Sequence, residues 1–150
     1  MNLDILRQQF GSAIIGESTF RGETTLTVDH ADIVAIAGFL RDHESCAFGF
    51  LADLCGVDLF PATPRFAVVY HLFSPRLNQR LRVKVLLDAE DPVVDSTVSV
   101  WETADWHERE CFDLFGIRFL NHPNLRRILM AEDFEGHPLR KDFPLAGVTP

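Results

Sequence analysis

Glu108, Arg109, Glu110 and Asp113 crowd one short segment near the end of the chain. Closely spaced carboxylates are the raw material of general acid–base catalysis, which also needs a pKa perturbed within a cleft. Spacing alone supplies neither. A helix laced with salt bridges, its charges orienting a neighbour, is the plainer expectation. His107 and Cys111 stand four residues apart, so a helix would set them on one face as two metal ligands. His122 and His137 complete a ligand set on paper. The spacing nevertheless fits no compact zinc pattern, and the His-Glu pair at 107–108 is not followed by a histidine at 111. Both later histidines precede prolines, where turn hydrogen bonding is the ordinary role. No metal site is expected, and a free-standing hydrolase built on His107, Glu108, Cys111 and His122 is the weaker alternative.

Arg126-Arg127 and Arg140-Lys141 form two small basic patches. Glu132, Asp133, Glu135 and Asp142 neutralise their surroundings, and no glycine-rich phosphate loop follows a strand. These cations read as ion-pair donors to carboxylates, partly across an interface. Arg80, Arg82 and Lys84 make a one-sided basic row, as expected of a solvated strand face or a docking surface. Nucleophile elbows and dinucleotide fingerprints are absent from the sequence, so no active site is expected in this chain.

The segment 106–145 that holds these groups is dense in charge and aromatics and broken by Gly116, Pro123, Gly136, Pro138 and Pro144. Such a segment buries too little of its own apolar surface to hold a shape alone. Phe112, Leu114, Phe115, Ile117, Phe119, Ile128, Leu129, Phe134 and Phe143 are too many for a disordered tail. It is expected to pack partly on its own domain and partly on another protein. Residues 105–145 carry eight acidic and six basic side chains, a near balance that suits specific pairing.

Upstream, the pattern predicts a helix over 3–10, strands over 12–20 and 22–28, and a helix over 30–42 capped by Asp29. A strand near 51–57 precedes FAVVYHLF at 66–73, apolar on both alternating faces as a central strand should be. Arg80 to Leu87 alternates cleanly and pairs with it as a hairpin. A strand is expected over 96–101, then a helix over 104–115 capped by Thr103 and closed by Gly116. Asp105 and Arg109 are placed for an i,i+4 pair, and Asn124 is expected to start one more short helix. The fold class is therefore α+β: a mostly antiparallel sheet with helices packed on one face and an extended C-terminal docking arm. Residues 1–115 form the core and 116–150 the arm, within one structural domain.

The bulk numbers agree. A chain of 150 residues with 47% hydrophobic and 24% charged side chains is ordinary for one globular domain. Its net charge of −8 opposes nucleic-acid binding. No secretory leader is visible, and no apolar stretch approaches a membrane span. Cys46, Cys55 and Cys111 form no C-x-x-C pair, which fits a reducing compartment without a disulfide framework or an iron–sulfur site.

HERECFDLFG at 107–116, HPNLRRILMAED at 122–133 and GHPLRKDFPL at 136–145 together resemble the signature of the C-type subunit of bacterial NADH–quinone oxidoreductase, respiratory complex I. The likeness extends through FAVVYHLFS at 66–74, RLRVKVLL at 80–87, Trp101 and Trp106, about residues 50–145 in all. Cys111-Phe112 departs from the family's usual residues there. The resemblance implies a non-catalytic structural subunit of the peripheral arm that binds no cofactor itself. FMN, the iron–sulfur clusters and quinone would belong to partner subunits. It implies packing against the quinone-pocket subunit, on the cytoplasmic side of the bacterial inner membrane, with membrane association only through the complex. Glu108, Arg109, Glu110, Asp113, His122, Arg126, Arg127, Asp133, Arg140, Lys141 and Asp142 are the expected partner-docking residues. Similar subunits serve membrane-bound hydrogenases and dehydrogenases with other electron donors, and these are the alternative setting.

Overall fold

Hydrophobic alternation in four consecutive ladders builds the sheet on which everything else rests. A computed structural model describes residues 3–144 and 146. It contains α1 (Asp4–Phe10), β1 (Ile14–Phe20), β2 (Glu23–Val28), α2 (Ile33–Asp42), β3 (Phe50–Asp58), β4 (Phe66–Ser74), β5 (Gln79–Leu87), β6 (Val93–Asp95), α3 (Ala104–Phe115) and β7 (Arg118–Leu120). The main sheet runs β1-β2-β5-β4-β3. Its ladders are antiparallel except for β2 with β5, which run parallel because α2, β3 and β4 intervene between them. The expected hairpin is present as β4–β5, with Tyr70 opposite Val83 and Val68 opposite Val85.

One face of that sheet is the core. Leu26, Val28, Leu81, Val83, Val85, Leu87, Phe66, Val68, Tyr70 and Leu72 are all buried along it. Helix α2 lays Ile33, Ile36, Ala37 and Leu40 over Tyr70, Leu72 and Val83, the one-sided burial that its 3.6-residue periodicity predicts. The Asp29 side chain accepts the Ala31 N–H at 3.0 Å and opens the turn that leads into it. Helix α3 lies on the same face, its Phe115 ring against Gly56 of β3. A Cβ on Gly56 would stand 2.7 Å from that ring, so only glycine lets helix and strand approach so closely. The helices thus share one face, as expected.

The Tyr70 hydroxyl is buried in this core with no hydrogen-bond partner among the described residues. Burial first, with help from Glu108 and Cys111, pushes its pKa well above the usual phenol value. Tyr70→Phe is expected to stabilise the domain by about 1 kcal/mol, since an unsatisfied buried hydroxyl opposes folding. A urea midpoint below that of the unsubstituted chain would refute this.

Three expectations are corrected. Residues 96–101 are not a strand, because the paired segment ends at Asp95 and the chain turns over 98–100. Glu108 draws that turn toward α3. No helix starts at Asn124, since the N–H groups expected to propagate it are captured by other partners. Thr103 occupies the N-cap position without a side-chain hydrogen bond. Leu145 and residues 147–150, the end of the expected arm, lie outside the described residues.

Candidate functional site

Two carboxylates on α3 organise the C-terminal third of the chain. Asp113 is completely buried. Its Oδ2 accepts the N–H groups of Ile128, Leu129 and Met130 at 3.0, 2.7 and 2.8 Å. Its Oδ1 accepts from Arg127 Nη1 at 2.6 Å. Burial raises its pKa, but the Met130 N–H, Arg127 and the Leu129 and Ile128 N–H groups outweigh burial and hold it below its ordinary value.

The same region solves a problem every helix has, four carbonyls at its end without partners. Phe112 O accepts from Gly116 N. Asp113 O accepts from Arg127 Nη1 at 3.1 Å and from His137 Nδ1 at 2.9 Å. Leu114 O accepts the Leu139 N–H at 3.1 Å, and Phe115 O accepts from Arg140 Nε at 2.6 Å. Cations at this end also oppose the negative pole of the helix dipole. Gly116, at φ +72°, turns the chain away. A Cβ there would lie 2.6 Å from His137 Nε2 and 2.7 Å from Arg140 Nη2. Residues 121–144 therefore act as a strap that caps α3.

A second anchor pins the far end of the strap. Asp58, at the end of β3, accepts the Lys141 N–H at 2.9 Å, the Phe60 N–H at 2.9 Å and the Arg65 guanidinium at 2.8 and 3.0 Å. Arg65 also holds Asp142 through two bonds of 2.8 and 2.9 Å. The Arg65 guanidinium foremost, with the two backbone donors, keeps Asp58 far below the carboxylate range despite burial. Arg65 and Arg140 both lie over the Phe66 ring, at 4.9 and 5.0 Å.

Glu108 does comparable work on the other side of α3. It is fully buried. Oε1 accepts from Thr97 N and Thr97 Oγ1 at 2.7 and 2.9 Å, and Oε2 from Ser96 Oγ at 2.6 Å. Burial pushes its pKa up against these donors. His122 Nδ1 accepts the Asn124 N–H at 3.0 Å, so the ring proton sits on Nε2 and is donated to the Asp105 carbonyl at 3.2 Å. His122 Nε2 also stands 3.9 Å from Glu108 Oε2.

The expected docking residues therefore divide. Glu108, Asp113 and the His122 side chain are interior and cannot meet a partner, because each satisfies loop or helix backbone instead. The expected carboxylate partners of Arg127 resolve to Asp113 within the chain, and its second amino group donates to the carbonyls of Phe134 and Gly136. Arg109 does not pair with Asp105; it donates to the Arg126 and Arg127 carbonyls. Arg140 is half-buried over Phe66. Glu110, Arg126, Asp133, Lys141 and Asp142 are exposed. Trp106, Leu129 and Leu139 join them, at 69%, 62% and 51% exposure. The hydrolase set is not assembled: Cys111 is buried, Glu108 faces Ser96 and Thr97, and His107 lies beside Asp53. Sequence reading misses Asp58, Arg65, Ser96 and Thr97. The available signal is an Asp and an Arg flanking the proline-containing turn between β3 and β4.

Comparisons with known proteins agree with this architecture. Residues 26–149 match the family model described as respiratory-chain NADH dehydrogenase, 30 kDa subunit. The chain is 50% identical over 143 residues to the C-type subunit of NADH-quinone oxidoreductase from Roseiflexus sp., covering 95% of this chain and 82% of that one. It is 48% identical over 147 residues to the C-type subunit numbered 2 of the same enzyme from Rhizobium etli, covering 98% and 78%. Among solved structures it resembles the trypsin-resistant fragment of Nqo5 (TM-score 0.67, 29% identity, 83% of this chain and 100% of that one). A chain of an archaeal membrane-bound sulfane sulfur reductase shares the fold (TM-score 0.75, 23% identity, 95% and 85% covered).

Proposed function

Since the chain belongs to the family of the 30 kDa subunit of respiratory-chain NADH dehydrogenase, we propose that it is a structural, non-catalytic subunit of the peripheral arm of an NADH–quinone oxidoreductase. The observation that carries this is how α3 and the strap use their side chains. The carboxylates that would serve acid–base chemistry are consumed in holding backbone, while a tryptophan, two leucines and several charges are turned outward. Trp106 on α3, beside Arg109 and Glu110, has the character of an interface anchor. Leu129, Leu139, Arg126, Asp133 and Lys141 extend that surface along the strap.

The partner chemistry follows. An apolar pocket for Trp106 and carboxylates facing Arg126 and Lys141 would suit the quinone-pocket subunit and its iron–sulfur neighbours. FMN, the clusters and quinone are carried by those partners, and the isolated chain turns nothing over. No helix among the described residues is long and apolar enough to cross a membrane. Attachment at the cytoplasmic side of the inner membrane then runs through the complex.

The test is affinity purification of the tagged chain from native membranes in mild detergent. The expected eluate contains an iron–sulfur complex that reduces quinone with NADH. Iron–sulfur partners without NADH activity would move the chain to a hydrogenase or other-donor assembly, and a lone protein would overturn the reading. Trp106→Ala is expected to weaken assembly about 30-fold, the effect of roughly 2 kcal/mol at an interface hot spot. The isolated domain should melt unchanged, because the side chain is mostly solvated. Normal complex yield in this variant would remove Trp106 from the interface.

A further inference from the structure

On the sheet face opposite α2, antiparallel pairing sets Asp53 of β3 against His71 of β4. Cys55, two residues along β3, projects to the same side. The ligand atoms of Asp53, Cys55 and His71 all lie within 4.8 Å of one another. His107 reaches in from α3, its Nδ1 3.5 Å from Asp53 Oδ1. One thiol, one imidazole and one carboxylate thus cluster on the β3–β4 edge, and the His107 imidazole of α3 touches the cluster through Asp53.

We propose that Asp53, Cys55, His71 and His107 form a binding site for a divalent transition metal of the zinc class, which clips α3 to the β3–β4 edge. A sulfur, two nitrogens and an oxygen make a four-donor set suited to tetrahedral zinc. Ligand atoms around such an ion stand about 3.5 Å apart, given metal bonds of about 2.0–2.3 Å. The three clustered groups therefore need side-chain movements of about 1 Å, and His107 must turn from Asp53 toward the ion to become the fourth ligand, which their partial exposure permits. Cys55 gives up its proton on ligation, and the imidazoles bind as neutral rings.

The surrounding charge favours a cation. Asp53 and Glu110 both place negative charge near the Cys55 thiol, and a bound dication would offset it. Arg82 acts in the opposite sense on the thiol, but its guanidinium is held by Glu23 at 2.6 Å and Thr25 at 3.1 Å. This set differs from the His107, Cys111, His122 and His137 combination that sequence spacing suggests. Only His107 is common to both, because strand pairing, invisible in local spacing, supplies the other ligands.

The full chain, reduced and freed of metal with a chelator, would be titrated with Co²⁺ alone and followed by absorption. The expected result is the visible band pattern of tetrahedral cobalt together with a near-ultraviolet sulfur-to-cobalt band, saturating at one equivalent and displaced by Zn²⁺. Cys55→Ser should abolish the sulfur band, and His107→Ala should weaken binding about 10–100-fold. Zinc in excess should raise the melting temperature by about 5 °C. His71 and Cys55 are only partly buried, and circular dichroism would verify that the variants fold. An octahedral cobalt spectrum without the sulfur band would overturn the proposal, as would a sulfur band that survives Cys55→Ser.

Discussion

Asp113→Ala is expected to lower the unfolding free energy by about 3–5 kcal/mol, the cost of removing one member of a buried ion pair. The substitution strands the Arg127 guanidinium, whose side chain is only 15% exposed. It also frees the N–H groups of Ile128, Leu129 and Met130. The chain does not lose its sheet; it loses the first anchor of the strap. Urea denaturation should show the loss, and limited proteolysis should cut within 121–144 far faster than in the unsubstituted chain. Asp113→Asn keeps one acceptor oxygen and should fall between the two.

The same carboxylate gives a pH signature. Asp113 and Asp58 both titrate below their ordinary values in the fold. An unfolded aspartate has a pKa of about 3.9. Below that pH the unfolded chain binds more protons than the folded one, so stability is complete above about pH 4 and is lost as pH falls further. Asp113→Ala should flatten part of this acid limb. If the variant kept both the acid slope and the proteolysis pattern of the unsubstituted chain, Asp113 would not be the anchor described.

How legible all this is depends on distance along the chain. The β4–β5 hairpin, α2 and the Gly116 stop are written in local periodicity and turn chemistry, so sequence reading finds the hairpin and the stop within a residue and α2 within three, its first turn being a 3-10 turn over His30–Asp32. The parallel contact of β2 with β5 is not, because nothing local reports a crossover of fifty residues. The α3 acids show the limit most clearly. WHERECFDLF carries four charged residues in ten, three of them consecutive, which reads as a solvated, salt-bridged helix. Two of those charges, Glu108 and Asp113, are in fact fully buried, and the donors that make burial tolerable come from 96–97 and 127–130. A pattern-based reading has no means to see those donors. Of the basic residues of the strap, Arg127 pairs with Asp113 and Arg140 donates to the Phe115 carbonyl, both on the end of α3, while Arg127 also holds the Phe134 and Gly136 carbonyls within the strap.

Glu108 should show the opposite pH behaviour from Asp113, and this separates two kinds of buried acid. Burial, foremost, raises its folded pKa over the hydrogen bonds from Ser96 and Thr97. The folded chain then holds this proton at a pH where an unfolded glutamate, with a pKa of about 4.3, has lost it. Stability from this group therefore falls as pH rises from about 4.3 through the raised folded pKa, and stays reduced above it. Glu108→Gln should erase that falling limb and leave the domain at neutral pH at least as stable as the original. The amide fits: its oxygen accepts both Thr97 donors, and its nitrogen donates to Ser96 Oγ, which turns its own hydrogen away. Glu108→Ala is expected to cost about 3 kcal/mol, since it leaves those donors unsatisfied and opens a cavity. Urea denaturation of the three proteins from pH 4 to 8 would decide the matter. A glutamine variant as unstable at neutral pH as the alanine one would mean that the negative charge itself, facing His122 at 3.9 Å, holds α3 to the turn at 96–97.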